Sequence, residues 1–193
     1  MSNKHLACDI ITQERPSAWL GHRSFANWLV KTMRPDITVD LGVDFGHSTF
    51  YLAEMGIGNV YGVDSFEGDY HAGIRDTFQY VNTTKDKYEF NNITFIKGFF
   101  DQVAKTWQKK IDILHIDGFH TYDAVTYDWN TWKDFLKDES VVMFHDTEAF
   151  PADVGRFFHE FEMPYKINFI HSAGLGVASR DPNIIELIKK NFV

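Results

Sequence analysis

Four residues, Asp117, His120, His145 and Asp146, carry the side chains of a metal centre or an acid–base site. Asp117 and His120 follow the apolar run Ile111-Asp112-Ile113-Leu114-His115-Ile116, and His145-Asp146 follow Val141-Val142-Met143-Phe144. Each run has the length and composition of a buried strand, which places both pairs at strand C-terminal tips. In an open α/β sheet those tips share one edge, the edge where ligands bind. Two carboxylates and two imidazoles gather there at a cost unless a cation or substrate pairs them, and a divalent metal is the simplest partner. The competing interpretation is that Asp117 and Asp146 cap helices. His115, inside its strand, is expected to be a hydrogen-bonded core residue.

A second constellation lies earlier. Val39-Asp40-Leu41 runs into a turn framed by Gly42 and Gly46, followed by a helix that opens with His47-Ser48. The next apolar stretch, Tyr61-Gly62-Val63, ends on Asp64, with Ser65 after it. A parallel βαβ unit sets such a turn beside such a carboxylate, and Asp64 can accept both hydroxyls of a ribose. The three glycines of G-x-G-x-x-G that a pyrophosphate needs are missing. Asp44, in the middle of the turn, would repel a pyrophosphate and attract a cationic sulfonium or amino group. The expected ligand is therefore a ribonucleoside cofactor other than a dinucleotide. Gly98, after the third strand, allows a flat base close to the backbone, with Phe99 or Phe100 stacking on it.

The elements that must position these residues follow a strict β/α alternation. Residues 1–16 form an irregular lead-in, and 17–33 have helical periodicity that stops before Pro35. Strands are expected at 37–42, 59–64, 92–97, 111–117 and 139–145, with helices at 47–56, 71–88, 99–109, 121–137 and 152–162. Strands at 165–170 and 174–179 are too close in sequence for a crossover and pair as an antiparallel hairpin. The expected fold is α/β: a Rossmann-like, seven-stranded, mostly parallel sheet with an antiparallel C-terminal hairpin and helices on both faces. Residues 1–193 read as one domain, with 1–34 as lead-in and 37–179 as core.

Composition narrows the function classes. The 193 residues are 44% hydrophobic and 16% aromatic, with 18 Phe, which suits a bulky core. A formal net charge of −8 speaks against nucleic acid, whose phosphates draw on clustered Lys and Arg. Cys8 is the one cysteine, so no intramolecular disulfide forms. With no long apolar run and no basic-then-apolar leader, no membrane partner is expected and the chain reads as soluble and cytoplasmic. A homo-oligomer is left open.

Taken in order, Gly62-Val63-Asp64-Ser65-Phe66-Glu67-Gly68-Asp69, Leu114-His115-Ile116-Asp117-Gly118-Phe119-His120-Thr121-Tyr122, Phe144-His145-Asp146-Thr147 and Gly174-Leu175-Gly176-Val177 resemble one family. Over roughly residues 37–179 the chain resembles class I S-adenosylmethionine-dependent methyltransferases. Within that class it looks most like small metal-dependent O-methyltransferases and a bacterial subfamily associated with glycosyltransferases. The resemblance implies that Asp40, Gly42, Gly46 and Ser48 surround the methionine part of the cofactor and Asp64, with Ser65, the ribose. It implies Asp117 and Asp146 as metal ligands with His145 beside them, and His120 at the place of a lysine general base. Magnesium or manganese is the implied metal, with imidazole moving preference toward manganese, iron, cobalt or zinc. The implied reaction is methylation of a hydroxyl on a small acceptor such as a sugar, a phenol or a secondary metabolite. Two other classes stand beside it: a cofactor-binding module without turnover, and a metal-dependent hydrolase built on the Asp/His cluster.

Overall fold

The alternation of apolar strands and amphipathic segments folds, in a computed structural model that describes residues 3–70 and 73–193, into one central sheet. Its strands are β1 (Ile37–Leu41), β2 (Asn59–Asp64), β5 (Ile93–Lys97), β6 (Ile111–Ile116), β7 (Leu136–His145), β8 (Tyr165–Phe169) and β9 (Leu175–Ser179). They lie in the order β5-β2-β1-β6-β7-β9-β8, parallel from β5 to β7 and antiparallel at β9 and β8. This is the seven-stranded Rossmann-like arrangement expected from the sequence. Two short strands, β3 (Gly68–Asp69) and β4 (Gly73–Ile74), pair outside the sheet.

Because neighbouring residues of a strand point to opposite faces, the sheet builds two cores. In β7, Val141 and Met143 join one cluster while Val142 and Phe144 join the other. The first face is covered by α1 (Asn3–Glu14), α2 (Arg23–Met33), α3 (His47–Ala53), α4 (Phe78–Lys87) and α8 (Pro182–Phe192). The second is covered by α5 (Phe100–Ala104), α6 (Tyr122–Trp132) and α7 (Arg156–Glu160), the last preceded by a π-helical turn at Pro151–Gly155. The aromatic excess is spent mainly here: Phe144 packs against Phe157, Phe158, Phe161 and Trp129.

Three expectations need correction. The lead-in is not irregular: Ala7, Cys8 and Ile11 form an apolar stripe, and α1 docks through it. Arg23 then ties α1 to α3, pairing with Asp9 at 2.5 Å and with buried Glu54 at 2.7 Å. The helix expected over 71–88 begins at Phe78, after the β3–β4 pair; His71 and Ala72 lie outside the described residues. The C-terminal helix α8 went unnoticed although its signals are in the sequence. Asp181 caps it, Pro182 opens it, and Ile184, Ile185 and Ile188 bury its inner face. Among the described residues no helix is long and apolar enough to cross a membrane.

Candidate functional site

The C-terminal tips of β1, β2 and β6 open into a cleft of about 560 Å³, a size that holds a small ligand. One wall is the turn after β1. Gly42 has φ 98°, and a Cβ there would collide with the Asp117 carbonyl, so the β1 and β6 tips touch only because residue 42 lacks a side chain. Asp64 fixes the same turn: its Oδ2 accepts from the amides of Val43 at 2.8 Å and Asp44 at 2.9 Å, and its Oδ1 from Phe66 at 2.7 Å. Burial raises the Asp64 carboxyl above its ordinary value, and those amides offset only part of the rise. Asp64→Ala would leave three amides without their acceptor. A loss of about 1.5–3 kcal/mol in urea unfolding is expected, as for hydrogen bonds to a charged group; an unchanged midpoint would show that water replaces the carboxylate at no cost.

The expected cofactor residues separate into two groups. Gly42, Ser48, Asp64, Ser65 and Phe99 line the cleft. Asp40, Gly46 and Gly98 do not. Asp40 is fully buried beneath it, accepting from Ser48 Oγ at 2.7 Å and from Thr49 Oγ1, with His115 Nδ1 at 2.6 Å. It therefore holds the first turn of α3 and the core residue His115 in place instead of meeting a ligand. Gly46 (φ 89°) starts α3, and the Phe50 ring occupies the space of its missing side chain. The Gly98 amide donates to the Asp64 carbonyl at 2.8 Å. Asp44 also departs from expectation. Arg75 grips it with Nε at 2.9 Å and Nη2 at 2.6 Å, so its charge is already answered within the chain.

At the other end of the cleft the two Asp/His pairs meet as expected. Asp117, His120 and Asp146 each offer one donor atom, all within 4.8 Å of one another. His120 Nε2 lies 2.9 Å from Asp146 and 3.4 Å from Asp117. His145 Nδ1 lies 3.4 Å from Asp117 and 3.2 Å from Asp146, while its Nε2–H donates to the Ser172 carbonyl at 3.2 Å. The sequence placed His145 in the ligand set and His120 outside it; the geometry places His120 inside, with His145 at its border. Burial alone would lower His120, but its hydrogen bonds to Asp117 and Asp146 push it up to about 10. The same contacts, with His145 foremost, hold Asp117 well below the carboxylate range despite its burial. An arrangement that draws in positive charge this strongly suits a divalent cation, and carboxylate oxygens with imidazole nitrogen are an ordinary donor set for one.

Neither aspartate caps a helix. Thr121 caps α6, its hydroxyl accepting from the Ala124 amide at 3.3 Å, and Asp146 is itself left-handed (φ 65°) with its amide on the Gly174 carbonyl at 2.9 Å. Holding a non-glycine residue there is the kind of local strain that a site tolerates. Trp19 reaches in from the 3-10 turn Ala18–His22 and donates its indole N–H to Asp117 at 3.3 Å. Its ring also stacks on His145 at 5.5 Å. Asp101, in the stretch after the third strand that the sequence carries to this edge, lines the cleft, and so do Phe119, Tyr127 and Asp128, which were not foreseen. Of these three, Phe119 had a signal, lying between Asp117 and His120.

The profile of a family described as a methyltransferase domain matches residues 39–147. An uncharacterised protein of Sinorhizobium fredii is 32% identical over 171 residues, which cover 83% of this chain and 19% of that protein; the chain thus spans about a fifth of the relative's length. A methyltransferase structure from Geobacter sulfurreducens superposes with a TM-score of 0.72 at 14% identity, covering 94% of this chain and 91% of that one. An O-methyltransferase from Bacillus cereus, solved in complex with SAH, gives 0.65 at 12% identity, with coverage of 92% and 90%. At such identities the two structures share the fold.

Proposed function

The chain belongs to the methyltransferase domain family, and from that membership we propose that it transfers a methyl group from S-adenosylmethionine to a hydroxyl of a small neutral acceptor, with a divalent cation in the site. One observation carries this reading: a ribose-type carboxylate, Asp64, and the Asp117–His120–Asp146 cluster face the same cleft from opposite ends. The fold shared with an O-methyltransferase solved with SAH supports it.

Asp64 would take the ribose hydroxyls, with Gly42 and Ser48 beside the methionine part and Phe99 near the base. Methyl transfer from a sulfonium is an in-line displacement, so the chain's part is to aim the acceptor oxygen and remove its proton. A cation at Asp117 and Asp146 would lower the acceptor's pKa and orient it. His120, at the same spot, would take the acceptor's proton if it stays off the cation and in its unprotonated form, which a cation answering the charges of Asp117 and Asp146 would favour. The cleft is lined by seven aspartates and, among the described residues, by no lysine or arginine. Apart from the cation and the histidines of the cluster, a phosphorylated or carboxylated acceptor would meet an acidic lining, whereas a neutral hydroxylated one meets no repulsion.

The test is methyl transfer from S-adenosylmethionine across a panel of neutral sugars and phenols, with and without chelator. Turnover should appear with added manganese and vanish on chelation. Asp117→Asn should weaken metal binding by calorimetry without unfolding the domain, at the cost of some thermal stability from the lost ion pairs with His120 and His145. Turnover that ignores the chelator removes the metal from the scheme. Hydrolysis of an ester or phosphoester in the absence of any nucleoside binding would replace methyl transfer altogether.

A further inference from the structure

Three successive carbonyls of the turn between β8 and β9 serve the His145–Asp146 tip or stand against it. Ser172, Ala173 and Gly174 are all left-handed, with φ of 54°, 68° and 91°. Two of the three are not glycine, and such a run persists only where surrounding contacts impose it. The Gly174 carbonyl accepts from the Asp146 amide at 2.9 Å, and the Ala173 carbonyl from Glu148 at 2.9 Å and Ala149 at 3.0 Å. The Ser172 carbonyl takes two imidazoles, His145 Nε2 and His22 Nε2, each at 3.2 Å. His22 is fully buried in ring contact with Trp19, His145, Phe169 and His171. The bond to Ser172 is its ring's single hydrogen bond, and among the described residues nothing meets its Nδ1. A buried imidazole with half of its bonding capacity idle calls for a reason.

A carbonyl oxygen only accepts, so both imidazoles carry a hydrogen on Nε2. Burial, then the charge of His145, pushes His22 down to about 3, so it stays neutral with that one N–H. For His145 the consequence lies on the other side of the ring. In the neutral form of this tautomer its Nδ1 is a lone pair, 3.4 Å from Asp117 and 3.2 Å from Asp146. A lone pair set against two carboxylates is repelled unless positive charge comes between them. The tautomer that suits a cation at this place is the one that the Ser172 carbonyl enforces. We propose that His22 is a positioning residue for the cation site: sharing the Ser172 carbonyl with His145, it pins that turn and keeps the His145 Nδ1 lone pair facing Asp117 and Asp146. Trp19, in the same 3-10 turn, steadies the arrangement by donating to Asp117 at 3.3 Å and stacking on His145. The close approach of the two turns depends on Gly21, whose Cβ would collide with Ser172 Oγ. Both turns lie outside residues 39–147, the part that matches the methyltransferase profile. The role of His22 rests on the divalent cation of the reading above.

The experiment compares the full chain with His22→Leu and His22→Gln, using manganese for calorimetry and zinc as a diamagnetic probe. Loss of a group that orients a metal-binding histidine costs about 10–100-fold in affinity, and His22→Leu should weaken manganese binding within that span. S-adenosylhomocysteine should bind the variant as before. His22→Gln, whose side-chain amide can donate to Ser172 in place of Nε2, should recover most of the manganese affinity. Histidine nitrogen spectra of the zinc-loaded parent should show His145 protonated on Nε2 with its Nδ1 resonance moved by the metal. His22→Leu should lose that signature. A His22 that merely fills the core would lower the melting temperature and leave affinity and spectrum unchanged, which overturns the role. A His22→Gln chain that binds manganese as poorly as His22→Leu overturns it too. Should His22→Leu fail to fold, the parent spectrum decides: a hydrogen on His145 Nδ1 refutes the proposal. A parent chain that binds neither metal removes the cation and this role together, whereas metal binding indifferent to His22→Leu removes the role alone.

Discussion

Replacing His120 with alanine should lower turnover by about 10²–10⁴-fold, the span typical of a lost general base, while S-adenosylhomocysteine binds as before. The reason is position. His120 Nε2 sits between Asp146 at 2.9 Å and Asp117 at 3.4 Å, and its ring is clamped against Phe150 with centroids 4.5 Å apart. It is therefore fixed where the acceptor oxygen must lie, and remote from the Asp64 turn that would hold the ribose. Measuring metal affinity alongside kcat separates its two roles. A variant that keeps the metal but loses turnover identifies His120 as the base. A variant whose turnover returns at high manganese identifies it as a ligand. Full turnover with normal metal affinity would exclude both roles.

The second large effect concerns stability. Burial, then the charge of Asp101, raises Asp128 from 3.8 to about 7. Between those values the folded chain holds a proton that the unfolded chain has released, so stability falls as pH rises through the window from roughly 4 to 7. At about 1.4 kcal/mol per pH unit the cost approaches roughly 4 kcal/mol above pH 7, as an upper bound. Asp128→Asn has no charge to bury. It should be more stable than the parent chain at pH 8 by a few kcal/mol and nearly equal to it at pH 4.5, read as the difference in urea unfolding. An equal difference at both values would mean that Asp128 is as well solvated as any surface carboxylate.

Local pattern determined much of this protein. Apolar runs of five or six residues ending in Asp64, Asp117 and His145 specify buried parallel strands and put polar residues at their tips, because a parallel sheet sends every C-terminal end to one edge. The meeting of Asp117, His120, His145 and Asp146 needed nothing beyond that rule. Even the missed α8 was legible, since Asp181-Pro182 followed by Ile184, Ile185 and Ile188 carries cap, start and stripe.

Tertiary structure decided the rest, wherever a contact joins residues far apart in the chain or depends on which way a side chain turns. Trp19 reaches Asp117 across 98 positions, and nothing in the periodicity of residues 17–33 distinguishes an indole that packs from one that donates into a cleft. Asp44 is answered by Arg75 only because the β3–β4 pair folds back over the turn. Asp40 stands at a strand tip like Asp64, yet one is consumed by Ser48, Thr49 and His115 while the other faces the opening. Their different fates follow from strand register and from burial depth at the edge of the sheet. Asp128 shares the inner face of α6 with Val125 and Trp132, and the packing of α5 against α6 decides that it borders the cleft. A sequence fixes which groups can reach an edge through its periodicity; which of them remain unpaired there is set by the packing of distant segments, which periodicity does not encode.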